Sequence, residues 1–568
     1  MQLRVMGIAA AIGAGVLPRH AAVAQPVAPL MGPTAPAIQL AQATPPVQAA
    51  TPPATPAGCT GAPDPYKNYV CLDNYLGTGV AERFYNYYRL EWGESGPPTD
   101  PSAPPGRKAG WDPAPETSPP MPFTDWPYGG TTILGGNRTG SADSPLMVAI
   151  ANTDVGKWMT DNGIQIYGWV DPGFNVSSNT IRNAGNFPVA YAYDPNTAQL
   201  DQFVVYLERT PDTIQTDHVD WGFRLSAIYG ENYRYTTSYG IASYQLLKYN
   251  NQNGYDFPMV YGELFIPQVA EGLMLRLGRY ISLPDIEAQL APNNYMYTHS
   301  LTYSYDNYTN EGLQASLAVT PHIIAQLGVS VGTEAAVTNV GNTILNPSPG
   351  SQNLLYGGTH LFKDPGAQFP TLTACIRFDW NDGKDNFQPC ANGINSGTWG
   401  YNNLQWYGFT YYHKFDDHWH ISFEFYDEHQ NGVPNINNPA IVSGLAAGTT
   451  TTPFSQLNFN QPGLAHCASA SVLRCNAYAI GAVSYINYSP EPLDNFSFRP
   501  EIYYDPQGQR TGTAATYYEF TIGWQHWWSP QVEVRPEIGY YHSDGANAFN
   551  GGTKNFTLLG AGDVIWHF

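Results

Sequence analysis

Charged side chains recur in this sequence at alternate positions of otherwise apolar segments, and that spacing limits the chemistry they can do. Arg224, Glu263, Arg276, Glu424, Arg499, Glu501, Glu533, Arg535 and Glu537 all fall on the polar side of such segments. Carboxylates and guanidinium groups gathered on one face would bias the passage of ions along a water-filled path. The same set would also serve as ion pairs between neighbouring strands, hydrating an interior. The two readings are compatible, and the spacing does not choose between them. Asp285 and Glu287 lie in a stretch, Arg279 to Leu290, that breaks the alternation. There Ser282 suits a helix N-cap, Pro284 a first turn, and the two acids the positive end of a short helix. Either the stretch is a helix in an outer loop that never enters the interior, or it folds inward, narrows the barrel and sets both acids against interior arginines; the sequence leaves both open. Tyr239 to Lys248 is a second short helix candidate.

Other constellations carry less. His413, His418, His420 and His429 cluster with Asp416, Asp417 and Glu428 around one predicted hairpin. A Ser/His or Asp/His catalytic set would need such neighbours, but His413 and His418 flank a predicted short turn, which points them to the periplasmic rim, and no catalytic role is expected. No G-x-S-x-G, H-E-x-x-H, phosphate-binding loop or dinucleotide fingerprint occurs, so neither an enzyme nor a cofactor is expected. Asp379 to Asp385 has the oxygen ligands of a calcium loop, but Gly383 comes one place early for that motif, and a polar turn is expected. The cysteines fall in three local pairs, Cys59/Cys71, Cys375/Cys390 and Cys467/Cys475. None has C-x-x-C spacing. Disulfides in an oxidising compartment are expected, with His466 beside Cys467 a weak hint of metal and no metal site assigned.

The elements that must position these residues follow from composition. Charged residues are 12% and aromatic residues 14% of the 568, with Tyr 40 and Trp 14. An ordinary soluble chain has about 25% charge. A protein facing lipid needs less, and its Tyr and Trp suit the membrane–water boundary. The net charge of -21 and the lack of a basic run exclude nucleic acid as a partner. Arg4, the apolar run Val5 to Leu17 and Ala22-Val23-Ala24 read as a signal peptide over residues 1–24. No later run reaches the roughly 20 apolar residues of a spanning helix. A membrane form must then be a closed barrel, because only helices and closed barrels satisfy their backbone in lipid.

Residues 25–58 are a Pro/Ala-rich linker. Residues 59–160 read as a periplasmic or plug-like segment with one helix, Gly79 to Glu91. From residue 161 to 568, segments of about ten residues alternate apolar and polar, the grammar of an antiparallel barrel of about 16 strands. In Asn495 to Asp505, for example, Phe496, Phe498, Pro500, Ile502 and Tyr504 oppose Ser497, Arg499, Glu501, Tyr503 and Asp505. Pro500 and Pro536 are awkward there, since each removes a ladder donor. Turns such as Asp416-Asp417 and Ser529-Pro530 are short and periplasmic; residues 334–371 and 430–473 are outer loops. Trp566 and Phe568, closing a last strand, read as an outer-membrane assembly signal. Outer-membrane lipid and the barrel assembly machinery are the partners this implies.

Several stretches carry a family resemblance. They are PMPFTDWPYGGT at 120–131, IQIYGWVDPG at 164–173, RTPDTIQTDHVDWGFRLSAIYGENYRYTT at 209–237 and the long run beginning VYGELFIPQ at 260–309. Further matching strings surround PEIYYDPQGQRTG near the C-terminus. Over residues 120–568 the sequence resembles the OmpL-like β-barrel porin family of bacterial outer membranes. The resemblance implies a pore with no assigned active site. The expected function is passive diffusion of small hydrophilic solutes or ions, with a non-conducting barrel presenting its outer loops for binding or adhesion as the alternative. Porins of this size are often homotrimers, and nothing in the sequence decides that state.

Overall fold

A computed structural model describes residues 76–91 and 144–568, apart from 183, 214, 239–241, 243, 248–250, 282–284, 308, 335–369, 382–383, 400–403, 417, 448–462, 492–493 and 530. The signal peptide, the linker, Cys59, Cys71 and the string at 120–131 lie outside the described residues.

The wall is one closed antiparallel sheet of 18 hydrogen-bonded segments. Two pairs of segments are halves of single strands, so the barrel has 16 staves. Strands β1 to β3 are Ile164–Ser177, Ala198–Arg209 and Asp220–Gly230. Strand β4 runs as Gly254–Asp256 and Val260–Ile266, both paired to β3 and interrupted around Pro258. Strands β5 to β9 are Leu273–Ile281, Thr309–Thr320, Ile323–Thr333, Thr371–Trp380 and Asp385–Ile394. Strands β10 to β14 are Gln405–Lys414, Trp419–Pro434, Arg474–Glu491, Asp494–Asp505 and Ala515–Ser529. Strand β15 comes as Val532–Val534 and Glu537–Asp544, and β16 is Phe556–His567. Closure is between β1 and β16, with Val170 opposite Trp566, and it continues to the last residue: Phe568 N donates to Gly168 O at 2.8 Å.

The two prolines find different solutions. Pro536 falls in the gap between the halves of β15, where no ladder donor is required. Pro500 keeps its register with Phe520 of β14, but on its other side the β13–β12 pairing skips from Val483/Glu501 to Ile486/Phe498. A missing N–H is tolerated where the ladder is already open.

Alternation decides which side chains meet lipid. Leu225, Leu264, Leu277, Leu313, Leu327, Ile522, Ile538 and Leu558 are all exposed on the outer face. Trp221, Trp380, Trp419, Trp528 and Trp566 are exposed near the strand ends joined by short turns. Tyr229, Tyr255, Tyr407 and Phe556 are exposed near the opposite ends. Two aromatic girdles bounding an aliphatic band are the expected outer surface of a membrane barrel. Val532 departs from the sequence expectation, being covered rather than lipid-facing. No helix of the described residues is long and apolar enough to cross a membrane.

Both ends of the barrel sequence lie on the short-turn side, with turns such as 267–272 and 321–322. On the other side, among the described residues, lie 178–182, 184–197, 231–238, 285–307, 435–447 and 463–473. Ahead of β1 the segment holds more helix than the sequence suggests. Val80–Glu91 is joined by Pro145–Ile150, capped by Ser144 with Pro145 in its first turn, and by Asp154–Asp161, capped by Thr153. Leu76, Tyr87 and Val148 pack together, and Met147 and Met159 pack on Ile164 of β1. Tyr88 donates to the backbone carbonyl of His567, at the seam of the barrel. The two later helices are too short to show a periodic apolar face, so their caps were the only sequence signal.

Candidate functional site: the barrel interior and its inward loop

The interior is polar, and its charges are paired. Glu208 of β2 lies opposite Arg224 of β3, bonded at 2.5 Å. Glu263 of β4 lies opposite Arg276 of β5, bonded at 2.6 Å, and the Arg276 guanidinium sits over the Tyr261 ring at 4.3 Å. Arg499 of β13 reaches Glu519 of β14 at 2.6 Å. Arg535 of β15 pairs with Asp563 of β16, and Glu533 faces His567 at 3.2 Å. All nine strand residues proposed from the sequence are buried inside the barrel. The ladder of ion pairs between neighbouring strands is therefore present.

Across this wall lies the β5–β6 loop, described over residues 285–307. Of the two readings the sequence left open it takes the inward one, and its local structure differs from the helix considered there. Residues 285–290 form bends, not a helix. Helical turns come later, as a 3₁₀ turn Ala291–Asn293 and a short helix Leu301–Ser304. Ser300 caps that helix, accepting from Tyr303 N at 3.0 Å; the expected cap and first turn, Ser282 and Pro284, lie outside the described residues. Of the second expected helix, Tyr239 to Lys248, the described residues show Tyr244–Leu247, and a helical turn Tyr233–Thr236 precedes it.

The loop is tied down by wall carboxylates that accept its backbone N–H groups. Glu501 accepts from Leu301 N at 2.9 Å and from the Thr302 hydroxyl at 2.6 Å. Glu537 accepts from Tyr297 N at 3.0 Å and Thr298 N at 3.2 Å. Glu424 accepts from Ile286 N at 3.0 Å. Guanidinium groups take the carbonyls: Arg535 donates to Asn294 O at 2.9 Å, and Arg510 to Tyr305 O at 2.6 Å. Each bond satisfies a backbone group that would otherwise be buried without a partner, at a cost of about 1–3 kcal/mol. Two wall glycines make room. A Cβ on Gly481 would stand 2.8 Å from Thr302 Cγ2, and one on Gly523 2.9 Å from Met296 Cε.

Glu287 meets an arginine, as the inward reading requires: Arg499 is at 3.1 Å, and Tyr485 and Ser300 also donate to it. Asp285 does not. Its neighbours are Asp306 and Glu424, all three buried. Burial, then the carboxylate of Asp306, raises the Asp285 carboxyl well above the usual range, and burial pushes Asp306 up to about 6. The sequence reading missed Glu208, Glu519, Asp563, Arg510, Glu428 and Asp306 as partners. Glu519 was legible from the alternation in β14; Asp306 had no local signal.

The remaining candidates resolve simply. Asp379 pairs with Arg377 at 2.8 Å, and Asp385 with His413 at 2.6 Å, so these groups serve the β8–β9 turn and the neighbouring strand. The histidines do not form one cluster: His418 is exposed at the short turn, His420 faces Tyr295 of the loop, and His429 is at the far end of β11. Cys375 and Cys390 form a disulfide between β8 and β9, in the wall itself. Cys467 and Cys475 close a second, within the β11–β12 loop and at its junction with β12.

A family described as "Putative beta-barrel porin-2, OmpL-like" matches residues 163–568. The match begins at the barrel, not at residue 120 as the resemblance suggested. No protein of curated function matches the sequence. Among solved structures, an anion-selective porin from Comamonas acidovorans aligns at 9% identity and TM-score 0.41, over 71% of this chain and 99% of that one. The outer membrane channel DcaP of Acinetobacter baumannii aligns at 8% and 0.39, over 71% and 97%. Salmonella typhi OmpF, in complex with daunomycin, aligns at 9% and 0.41, over 72% and 99%.

Proposed function

This chain belongs to the Putative beta-barrel porin-2, OmpL-like family, outer-membrane barrels of porin type, and from that premise we propose that it passes small hydrophilic solutes or ions down their gradients through a lumen narrowed by residues 285–307. The observation that carries the reading is the fastening of that loop. Hydrogen bonds from β11, β13 and β15 hold it across the interior at a level where both signs of charge line the wall. A loop held this way reduces the aperture without closing the sheet around it. Fixed Glu and Arg groups would then act on whatever passes. Arg224, Glu263, Arg276, Asp285, Glu287, Glu424, Arg499, Glu501, Glu533, Arg535 and Glu537 are the lining this reading assigns.

The test is conductance of the refolded chain in a planar bilayer. Discrete steps are expected, with removal of residues 283–290 enlarging them. Unchanged step size after that deletion would remove the loop from the pathway. A second reading is favoured by one observation: Arg499, Glu519, Glu533 and Arg535 are at most 1% exposed, as in a packed interior. On that reading the barrel does not conduct and its outer loops carry the function. A folded barrel with no steps in the same bilayer would establish it.

A further inference from the structure

We propose that Asp285, Asp306 and Glu424 bind one hard divalent cation, with Ca²⁺ the ion whose coordination suits the site. One oxygen from each carboxylate lies within 4.8 Å of the others, and the three side chains are 7%, 0% and 0% exposed. The second observation concerns their hydrogen bonding. Glu424 uses one oxygen on Ile286 N at 3.0 Å, and Asp306 one on Asn307 N at 2.5 Å. Yet Asp285 Oδ1, Asp306 Oδ2 and Glu424 Oε1 are all buried with no hydrogen-bond partner.

Their neighbours show how different this is. Glu501 is surrounded by donors from Leu301 and Thr302. Glu287 has Arg499, Ser300 and Tyr485. Arg510, the nearest guanidinium to Asp306 in influence, is paired to Glu428 at 3.0 Å. Among the described residues, none of the three is in an ion pair. Converging buried carboxylates without a cation repel one another and lose hydration. Protonation would relieve this, and so would a divalent ion. An all-oxygen set selects Ca²⁺ or Mg²⁺ over softer metals, and Ca²⁺ tolerates the irregular geometry of a loop, completing its shell with carbonyls and water.

The placement says what the ion would do. Asp285 and Asp306 stand near the two ends of the inward loop, and Glu424 stands on β11. One ion would fasten both loop roots to the wall, whether or not the barrel conducts.

The full chain is refolded in detergent, stripped with EDTA, and titrated calorimetrically with CaCl₂ alone. One Ca²⁺ per chain is expected, bound at least tenfold more weakly by Asp306→Asn and by Glu424→Gln. Absence of binding up to millimolar Ca²⁺ overturns the proposal and leaves a shared proton as the solution. Equal affinity in both variants also overturns it, by moving the ion to the outer loops. Should either variant fail to fold, heat-modifiability of the wild-type chain in SDS decides. The folded form should survive to higher temperature in Ca²⁺ than in EDTA; coincident curves are against the site.

Discussion

Two stretches of the interior use the same residue types for different ends. Along β2 to β5, arginine and glutamate sit directly opposite each other, Glu208 against Arg224 and Glu263 against Arg276, and need nothing beyond the sheet. Along β11 to β15, Glu424, Glu501 and Glu537 turn to the backbone of residues 286–302, and Arg499 bridges Glu519 on the wall to Glu287 on the loop. A buried pair confined to neighbouring strands is replaceable, since its attraction roughly offsets its desolvation. A buried carboxylate holding loop N–H groups is not, because its loss orphans donors on another element. The charge of a lumen residue therefore says less than what stands across from it.

That contrast can be broken by substitution. The largest effect should be Arg499→Gln, which leaves Glu287 and Glu519 without their cation. A loss of about 3–5 kcal/mol is expected on unfolding in urea from lipid vesicles. A loss below about 1 kcal/mol would mean that the bridge is not the anchor. Next, Glu501→Leu should cost about 1–3 kcal/mol for the donors of Leu301 and Thr302 it abandons. It should also broaden single-channel current noise as the loop loosens; a quiet, unchanged trace would place the hold elsewhere. Smallest is the joint replacement Arg276→Met with Glu263→Leu. Stability should stay within about 1 kcal/mol of the parent or rise, as for other buried pairs exchanged for apolar residues. A large loss there would erase the distinction between the two walls. Finally, the reversal potential in a salt gradient should move with Arg499→Gln more than with the β4–β5 double replacement, if the loop marks the narrowest point.

Much of the wall was readable in advance because a strand repeats every two residues. Ile522 and Phe520 outward, Glu519 and Thr521 inward, follow from position alone. So does the inward placement of Arg535, although the interruption of the strand around Pro536 does not. The inward loop was half legible. A departure from alternation marked residues 279–290, and the pull of acid toward arginine held for Glu287. It failed for Asp285, because the group across from it is Glu424, reached only when β11 closes past the loop.

By itself the sequence determined an outer-membrane barrel of about 16 strands: period-two alternation, aromatic strand ends and charges spaced for the interior are all local patterns. Only the tertiary structure decided which lumen charges serve the sheet, which fasten the loop, and where three acids converge. Leu301 and Glu501 are 200 residues apart in the chain. No local pattern encodes their meeting, which depends on closing the sheet and seating the loop against Gly481 and Gly523.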